Sequence, residues 1–156
     1  MNPEDITLRT ATAADYDQII AVVDDWWGRP IGHALARVFL DHFYATSTIA
    51  EIPSAGNKGE LAGFLIGFLS PSRPDAAYIH FVGVHPRLRG NGLARTLYER
   101  FFALAAANGR RVVTAITAPV NAGSIAFHTA MGFTVTPPIP DYDGRDAPKV
   151  LFERRL

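Results

Sequence analysis

Arg87, Arg89 and Arg95 surround Gly90 and Gly92 within nine residues, a grouping suited to a ligand that carries several negative charges. Behind them Leu93, Leu97, Phe101, Leu104 and Ala105 recur at helical spacing until Asn108-Gly109, so the glycines open a helix. The first N–H groups of such a helix have no intrahelical acceptor and stand at the positive end of its dipole, roughly half an elementary charge, where phosphate binds readily. Glycine at 90 and 92 lets a phosphate approach the backbone. Fixed guanidinium charge favours several phosphates over a single carboxylate. The expected ligand is a phosphorylated cofactor; the alternative is a plain strand-to-helix turn with solvated arginines.

Two common phosphate motifs are excluded. The nucleotide P-loop needs lysine and then serine or threonine after its last glycine, where this chain has Leu93-Ala94; the dinucleotide fingerprint needs a small residue at Arg95 and an acid about twenty positions on. Ahead of the turn, Tyr78 to Val84 alternates as a strand, so Tyr78, His80, Val82 and Val84 share one face. His85 points to the opposite face, next to Pro86, as a solvated or packing residue.

Arg89-x-x-Gly92-x-Ala94 resembles the cofactor motif (Gln or Arg)-x-x-Gly-x-(Gly or Ala) of the GNAT superfamily of N-acetyltransferases. Its setting supports the match: Val84-x-Pro86 precedes it, a long amphipathic helix follows, and Asn121-x-x-Ser124-x-x-Phe127-His128-x-x-Met131-Gly132-Phe133 looks like the family's second motif. The resemblance covers residues 5 to 156 and implies acetyl-CoA (coenzyme A) as the cofactor. It places the pantetheine arm on the backbone of Val82, Gly83 and Val84, and the phosphates on the turn formed by Arg87, Arg89, Gly90, Asn91, Gly92, Leu93, Ala94 and Arg95. It adds Asn121 and Ser124 as further contacts.

The implied reaction is direct attack of a neutral primary amine on the thioester in a ternary complex, with a Val82 N–H near the developing oxyanion. An alkyl amine with a pKa near 10.4 is almost wholly protonated at neutral pH, so a base is required. His80 lies on the same face as Val82 and its imidazole titrates in the right range; ordered water is the alternative. The family usually has tyrosine, the proton donor to the departing thiolate, where this chain has His128. That histidine either donates instead, or fills the helix face while the thiol, with a reference pKa of about 8.5, leaves unaided. Tyr78, Trp26 and Trp27 are candidate substrate-side residues, with core packing the alternative for the tryptophans. No metal is expected.

The elements that must position these groups read in the order βααβββαβαββ, an α/β (α+β) fold with a mixed, mostly antiparallel sheet flanked by helices, which is similar to the GNAT fold. Ile6 to Arg9 reads as a strand, and Thr12-x-x-Asp15 as a capping pair for a helix ending near Asp24-Asp25. Trp26-Trp27-Gly28-Arg29-Pro30 reads as a loop, followed by a helix from Gly32 to Ala45. Strands follow at Thr48 to Ile52 and Leu61 to Leu69, then the Tyr78 strand and the long helix. Arg111 to Thr117 is a strand, Asn121 caps a short helix stopped by Gly132, and Phe133 to Thr136 and Lys149 to Arg154 close the sheet. The loop from Pro137 to Pro148, with Asp141, Asp143 and Asp146, is placed beside the substrate.

A chain of 156 residues, 48% apolar, fits one domain, here residues 1–156 as a single N-acetyltransferase domain. Fifteen basic and fifteen acidic residues balance, so no general field favours nucleic acid or an anionic membrane. The absence of cysteine excludes thiolate catalysis and disulfides. With no signal-like leader and no apolar run of membrane length, the expectation is a soluble cytoplasmic protein acting on a small-molecule or peptide amine, and compatible with a homodimer. A non-catalytic acyl-CoA-binding or sensing domain is the rival reading, and a protein-interaction module built on Trp26-Trp27 a third.

Overall fold

The computed structural model of the chain describes residues 2–156, without the side chains of residues 57 and 58. Its elements are β1 (Thr7–Thr10), α1 (Asp15–Ile20), α2 (Val23–Trp27), α3 (Val38–Phe43), β2 (Thr48–Ser54), β3 (Asn57–Leu69) and β4 (Ala76–Val84), followed by α4 (Leu93–Ala107), β5 (Val112–Thr117), α5 (Ala122–Ala130), β6 (Thr134–Val135) and β7 (Val150–Arg155). The strands join in the order β1-β2-β3-β4-β5-β7-β6, a seven-stranded mixed sheet in which β4 and β5 run parallel. The α/β class is as expected. The order is βαααβββαβαββ, with one helix more than βααβββαβαββ.

The extra helix comes from a break in the first one. The Val22 N–H bonds the Ile19 carbonyl at 3.0 Å, a tight turn that separates α1 from α2. Trp26 and Trp27 therefore lie in a helix rather than in a loop, and α2 ends at Gly28 in the left-handed region (φ 71°). The helix expected from Gly32 to Ala45 is only α3, flanked by 3₁₀ turns at Gly32–Ala34 and Tyr44–Thr46. Asp24 Oδ1 accepts from the N–H groups of Ile31 (2.9 Å) and Gly32 (2.8 Å), which folds the connection tightly and keeps it from continuing as one helix.

The contacts resolve into two compact units. One comprises the chain through Phe68 together with Phe81–Leu104; the other comprises Leu69–His80 and Ala105–Leu156, so β4 and α4 each contribute to both. In the first unit Ile19, Val23, Trp26, Leu35, Leu40, Ile49, Phe64 and Ile66 form one buried cluster, each side chain contributing about 1.5–3 kcal/mol by removal from water. Helix α4 lies against β3 at Gly63, where a Cβ would come within 3.1 Å of Leu93 and 2.9 Å of the Gly83 carbonyl. No larger residue fits there without displacing backbone.

The start of the first unit is locked by a carboxylate that the sequence reading treats only as half of a capping pair. Asp15 is 2% exposed and accepts from Arg9 (2.8 and 2.9 Å), the Thr12 N–H (2.7 Å) and Gln18 (2.8 Å). Arg9 also bonds Glu51 on β2 at 3.1 Å. Burial alone would raise the Asp15 pKa, but the bonds from Arg9 and Thr12 outweigh it and hold the carboxyl at about 2.

In the second unit β7 runs antiparallel to β5 from Val112↔Arg155 to Thr117↔Val150, and β6 adds Thr134↔Glu153 and Val135↔Phe152. The first residues of β4 pair with β5 in parallel register, Ala76↔Val112 to Tyr78↔Thr114, and the register stops there. Arg110 Nη1 donates to the Ser70 carbonyl at 3.0 Å and holds the approach to β4.

Asp15, a buried carboxylate, makes the stability of the fold depend on pH. Its carboxyl is depressed in the fold, so its stabilisation is complete above the unfolded carboxylate range and is lost as pH falls from about 5 towards 2. We expect Asp15→Asn to cost about 1–2 kcal/mol at neutral pH and to flatten that acid loss, both read from denaturant unfolding as a function of pH.

Candidate active site

In the first unit β4 delivers the chain to the glycine turn. His85 lies half-buried at the strand end, edge-on to Trp26 (5.4 Å between centroids), and its Nδ1 accepts from the Arg87 N–H at 3.1 Å. Its role is packing and capping, one of the two foreseen. Leu88 anchors the turn at 1% exposure, and Asn91 donates to the Leu88 carbonyl at 3.2 Å. Gly90 (φ 82°) and Gly92 (φ 79°) both stand in the left-handed region, and a Cβ at either would meet nothing within 4 Å. The backbone at the start of a fifteen-residue helix is thus bare and accessible, as a phosphate cradle requires. Asn108-Gly109 ends that helix as expected, with Gly109 at φ 74°.

The arginines differ in duty. Arg89, the motif residue, donates from Nη2 to the Trp26 carbonyl at the end of α2, which ties the turn to the tryptophan helix. Arg87 and Arg95 are exposed, and Arg95 stands 3.8 Å from Glu99, a contact too long and wet to hold it. Gly83 on β4 is buried, and a Cβ there would fall 2.7 Å from the Phe64 ring and 3.0 Å from the Trp27 ring. Trp27 also packs on Phe81 at 5.0 Å and stays half-buried, whereas Trp26, stacked on Phe64 at 6.0 Å, belongs to the core. Val82 and Val84 are half-buried, in alternation with buried Gly83.

In the second unit Tyr78 and His80 stack ring on ring at 6.4 Å, as their shared strand face requires. Burial, together with the nearby Tyr142 and Asp143, pushes the Tyr78 phenol up to about 12, so it stays protonated. On α5, Asn121 caps the helix by accepting from the Ser124 N–H at 3.2 Å, and its amide donates to Thr117 Oγ1 at 3.1 Å. The cap is as foreseen, and one amide hydrogen already has a protein partner.

His128 is 6% exposed, stacked flat on Phe152 (3.9 Å, 4°) and edge-on to Phe133 at 5.0 Å. Its Nδ1 lies 2.7 Å from the Ser124 carbonyl; since a carbonyl only accepts, Nδ1 carries the hydrogen. Burial lowers its pKa, partly offset by that bond, so the ring favours the neutral form. The sequence places this histidine at a motif position but gives no sign of the aromatic slot that holds it. Among the described residues no three His, Cys, Asp or Glu side chains are grouped to hold a metal, and no helix is long and apolar enough to cross a membrane.

Comparison with known proteins places this arrangement. A chain of the NatC complex bound to Gag peptide and CoA superposes with a TM-score of 0.80 at 18% identity, covering 97% of this chain and 99% of that one. The diaminobutyrate acetyltransferase of Paenibacillus lautus, solved with L-2,4-diaminobutyric acid and coenzyme A, gives 0.68 at 20% identity, with 94% and 93% coverage. These likenesses show that the fold is shared with solved acetyltransferase structures. Residues 43–133 match the acetyltransferase (GNAT) family over more than half of the chain, and the protein belongs to that family. A curated relative, the L-2,4-diaminobutyric acid acetyltransferase of Vibrio parahaemolyticus, is 42% identical over 77 residues, 49% of this chain and 40% of the relative. The aligned segments span less than half the length of the curated relatives.

Two expectations follow from the packing. Gly83→Ala should cost about 1–3 kcal/mol through overpacking against Phe64 and Trp27, seen as a lower unfolding midpoint with altered tryptophan fluorescence. For His128, protonation is harder in the fold than in the unfolded chain, so stability holds above about pH 6.5 and declines below it. His128→Phe, which keeps a ring on Phe152, should remove that decline in unfolding midpoints measured between about pH 8 and 5.

Proposed function

We propose that this chain is a single acetyl-CoA-dependent N-acetyltransferase domain that acetylates a small primary amine by direct attack in a ternary complex. The observation that carries the reading is the strand-turn-helix of β4 and α4, where two left-handed glycines leave bare backbone at the start of a long helix. Gly90 to Arg95 would hold the pyrophosphate, with Arg87 and Arg95 as exposed charge and Arg89 braced on Trp26. The backbone of Val82, Gly83 and Val84, past the point where β5 stops pairing with β4, would hold the pantetheine arm, and Asn121 and Ser124 would add contacts from α5. When bound, acetyl-CoA supplies an activated acetyl thioester.

The chain's own groups do the rest. His80 accepts the amine's proton, directly or through water, from the strand face it shares with Tyr78. The Val82 N–H, two residues further along β4, donates where negative charge develops on the acetyl oxygen. His128 is better suited to packing than to acid catalysis, since its ring favours the neutral form and its Nδ1–H is committed to Ser124. A thiol with a reference pKa of about 8.5 departs without that donor. Trp27 in the first unit and Tyr78 in the second are each candidates to meet the acceptor, whereas Trp26 packs on Phe64 in the core. A non-catalytic sensing role is not favoured, because the matched relatives are named as acetyltransferases, and those names favour a small amino-acid-like amine over a peptide. A cytoplasmic location belongs to the same proposal.

Acetyl-CoA-dependent thiol release against a panel of small amines tests the reading. We expect turnover on at least one amine, a loss of about 10²-fold or more in kcat/KM for His80→Ala, and a change within about threefold for His128→Phe. Tight acetyl-CoA binding with no turnover on any amine would instead identify a sensing domain.

A further inference from the structure

The three aspartates of the loop before β7 are not equivalent. Asp141 Oδ1 accepts from the Asp146 N–H at 2.8 Å, and both residues hold left-handed backbone (φ 53° and 59°), so these two build the loop. The Asp143 N–H bonds the Ala147 carbonyl at 3.0 Å, which fixes its backbone, while among the described residues the loop's side-chain hydrogen bond is made by Asp141 and not by the Asp143 carboxylate. A bridge between Ile139 and Lys149 closes the loop at its base. The result is an ordered hairpin that presents one carboxylate without a structural task.

Its position follows from the registers of the second unit. Tyr78 pairs with Thr114 on β5, and Thr117, three residues on, pairs with Val150 at the start of β7. Because β4 and β5 are parallel, the loop springs from the end towards which β4 runs, about 10 Å beyond the level of Tyr78. Both Tyr142 and Asp143 act electrostatically on the Tyr78 phenol, which stacks on His80. A carboxylate on an ordered loop is therefore carried at the end of the sheet towards which β4 runs, where its charge acts on the Tyr78 phenol that stacks on the proposed base.

We propose that Asp143 is a specificity determinant that selects acceptors carrying a second positive charge, such as diamines or diamino acids. The proposal rests on the transferase reading above. One amine of the acceptor is deprotonated by His80 and attacks; the other stays an ammonium and is held by the Asp143 carboxylate, with Tyr78 between the two positions. A monoamine lacks that second anchor and gains nothing from the charge.

The test compares matched acceptors of equal chain length, one a diamine and one a monoamine, at constant ionic strength and saturating acetyl-CoA. For Asp143→Asn we expect KM for the diamine to rise about tenfold, the loss of one charge-assisted bond, with kcat nearly unchanged and the monoamine altered less than about twofold. Calorimetry of the diamine against the CoA-bound protein should show the same loss of affinity, and Asp143→Glu should recover most of it. The exposed position of Asp143 predicts unchanged unfolding midpoints and acetyl-CoA affinity, which checks that the variant is folded. Equal effects on both amines, or no effect on either, would overturn the role of Asp143 and leave the transferase reading intact. A folded wild type that binds acetyl-CoA and acetylates no amine would overturn both.

Discussion

The parallel pairing between β4 and β5 ends at Tyr78, and much of the molecule's design depends on that end. Backbone N–H and C=O groups cannot be left without partners away from water, so a strand that continues to Val84 past its last β5 partner must find other partners along that edge. A strand ending there directs the chain into a turn where two glycines and a long helix leave further backbone donors bare. Unspent hydrogen-bonding capacity along one short segment is what a long, phosphate-tailed ligand needs.

Packing within the first unit keeps its part of that segment in place. Gly63 and Gly83 are narrow points where β3, β4, α4 and the aromatic cluster come too close for any Cβ. Arg89 shows the same economy, since a residue expected to meet phosphate already bonds the Trp26 carbonyl near the end of α2. A guanidinium has five donors, so bracing the turn and facing an anion are compatible. Asp15 does for the N-terminal strand and first helix what packing alone cannot do over so short a segment, at the usual condition that a buried carboxylate be fully bonded.

What was legible in the sequence is what periodicity and backbone chemistry control. Leu93 to Ala105 at helical spacing, Asn108-Gly109 as its stop, Asn121 as a cap and the alternation from Tyr78 to Val84 all correspond to observed elements. The failures have a common cause in tertiary contacts between short segments. Nothing local says that Val22 will bond back to Ile19, that Asp24 will gather the amides of Ile31 and Gly32, or that Trp26 and Trp27 will finish a helix. Likewise the position of His128 is visible in the motif, but its slot is made by Phe133 and Phe152, the latter more than twenty residues away in sequence.

The carboxylates show how burial and bonding separate structure from function when charge alone does not. In the sequence Asp15, Asp24, Asp141 and Asp143 look alike, each an acid near a turn or helix start. Asp15 answers to a guanidinium and an amide, Asp24 to two amides and Asp141 to one, so removing any of these charges leaves donors of the fold unpaired. Asp143 has no such creditor, and its charge is felt instead by a buried phenol on the strand that carries the proposed base. An anion whose backbone is fixed while its carboxylate stays outside the loop's bonding keeps its interaction for the cation proposed above, whereas the other three carboxylates are already bonded to the fold.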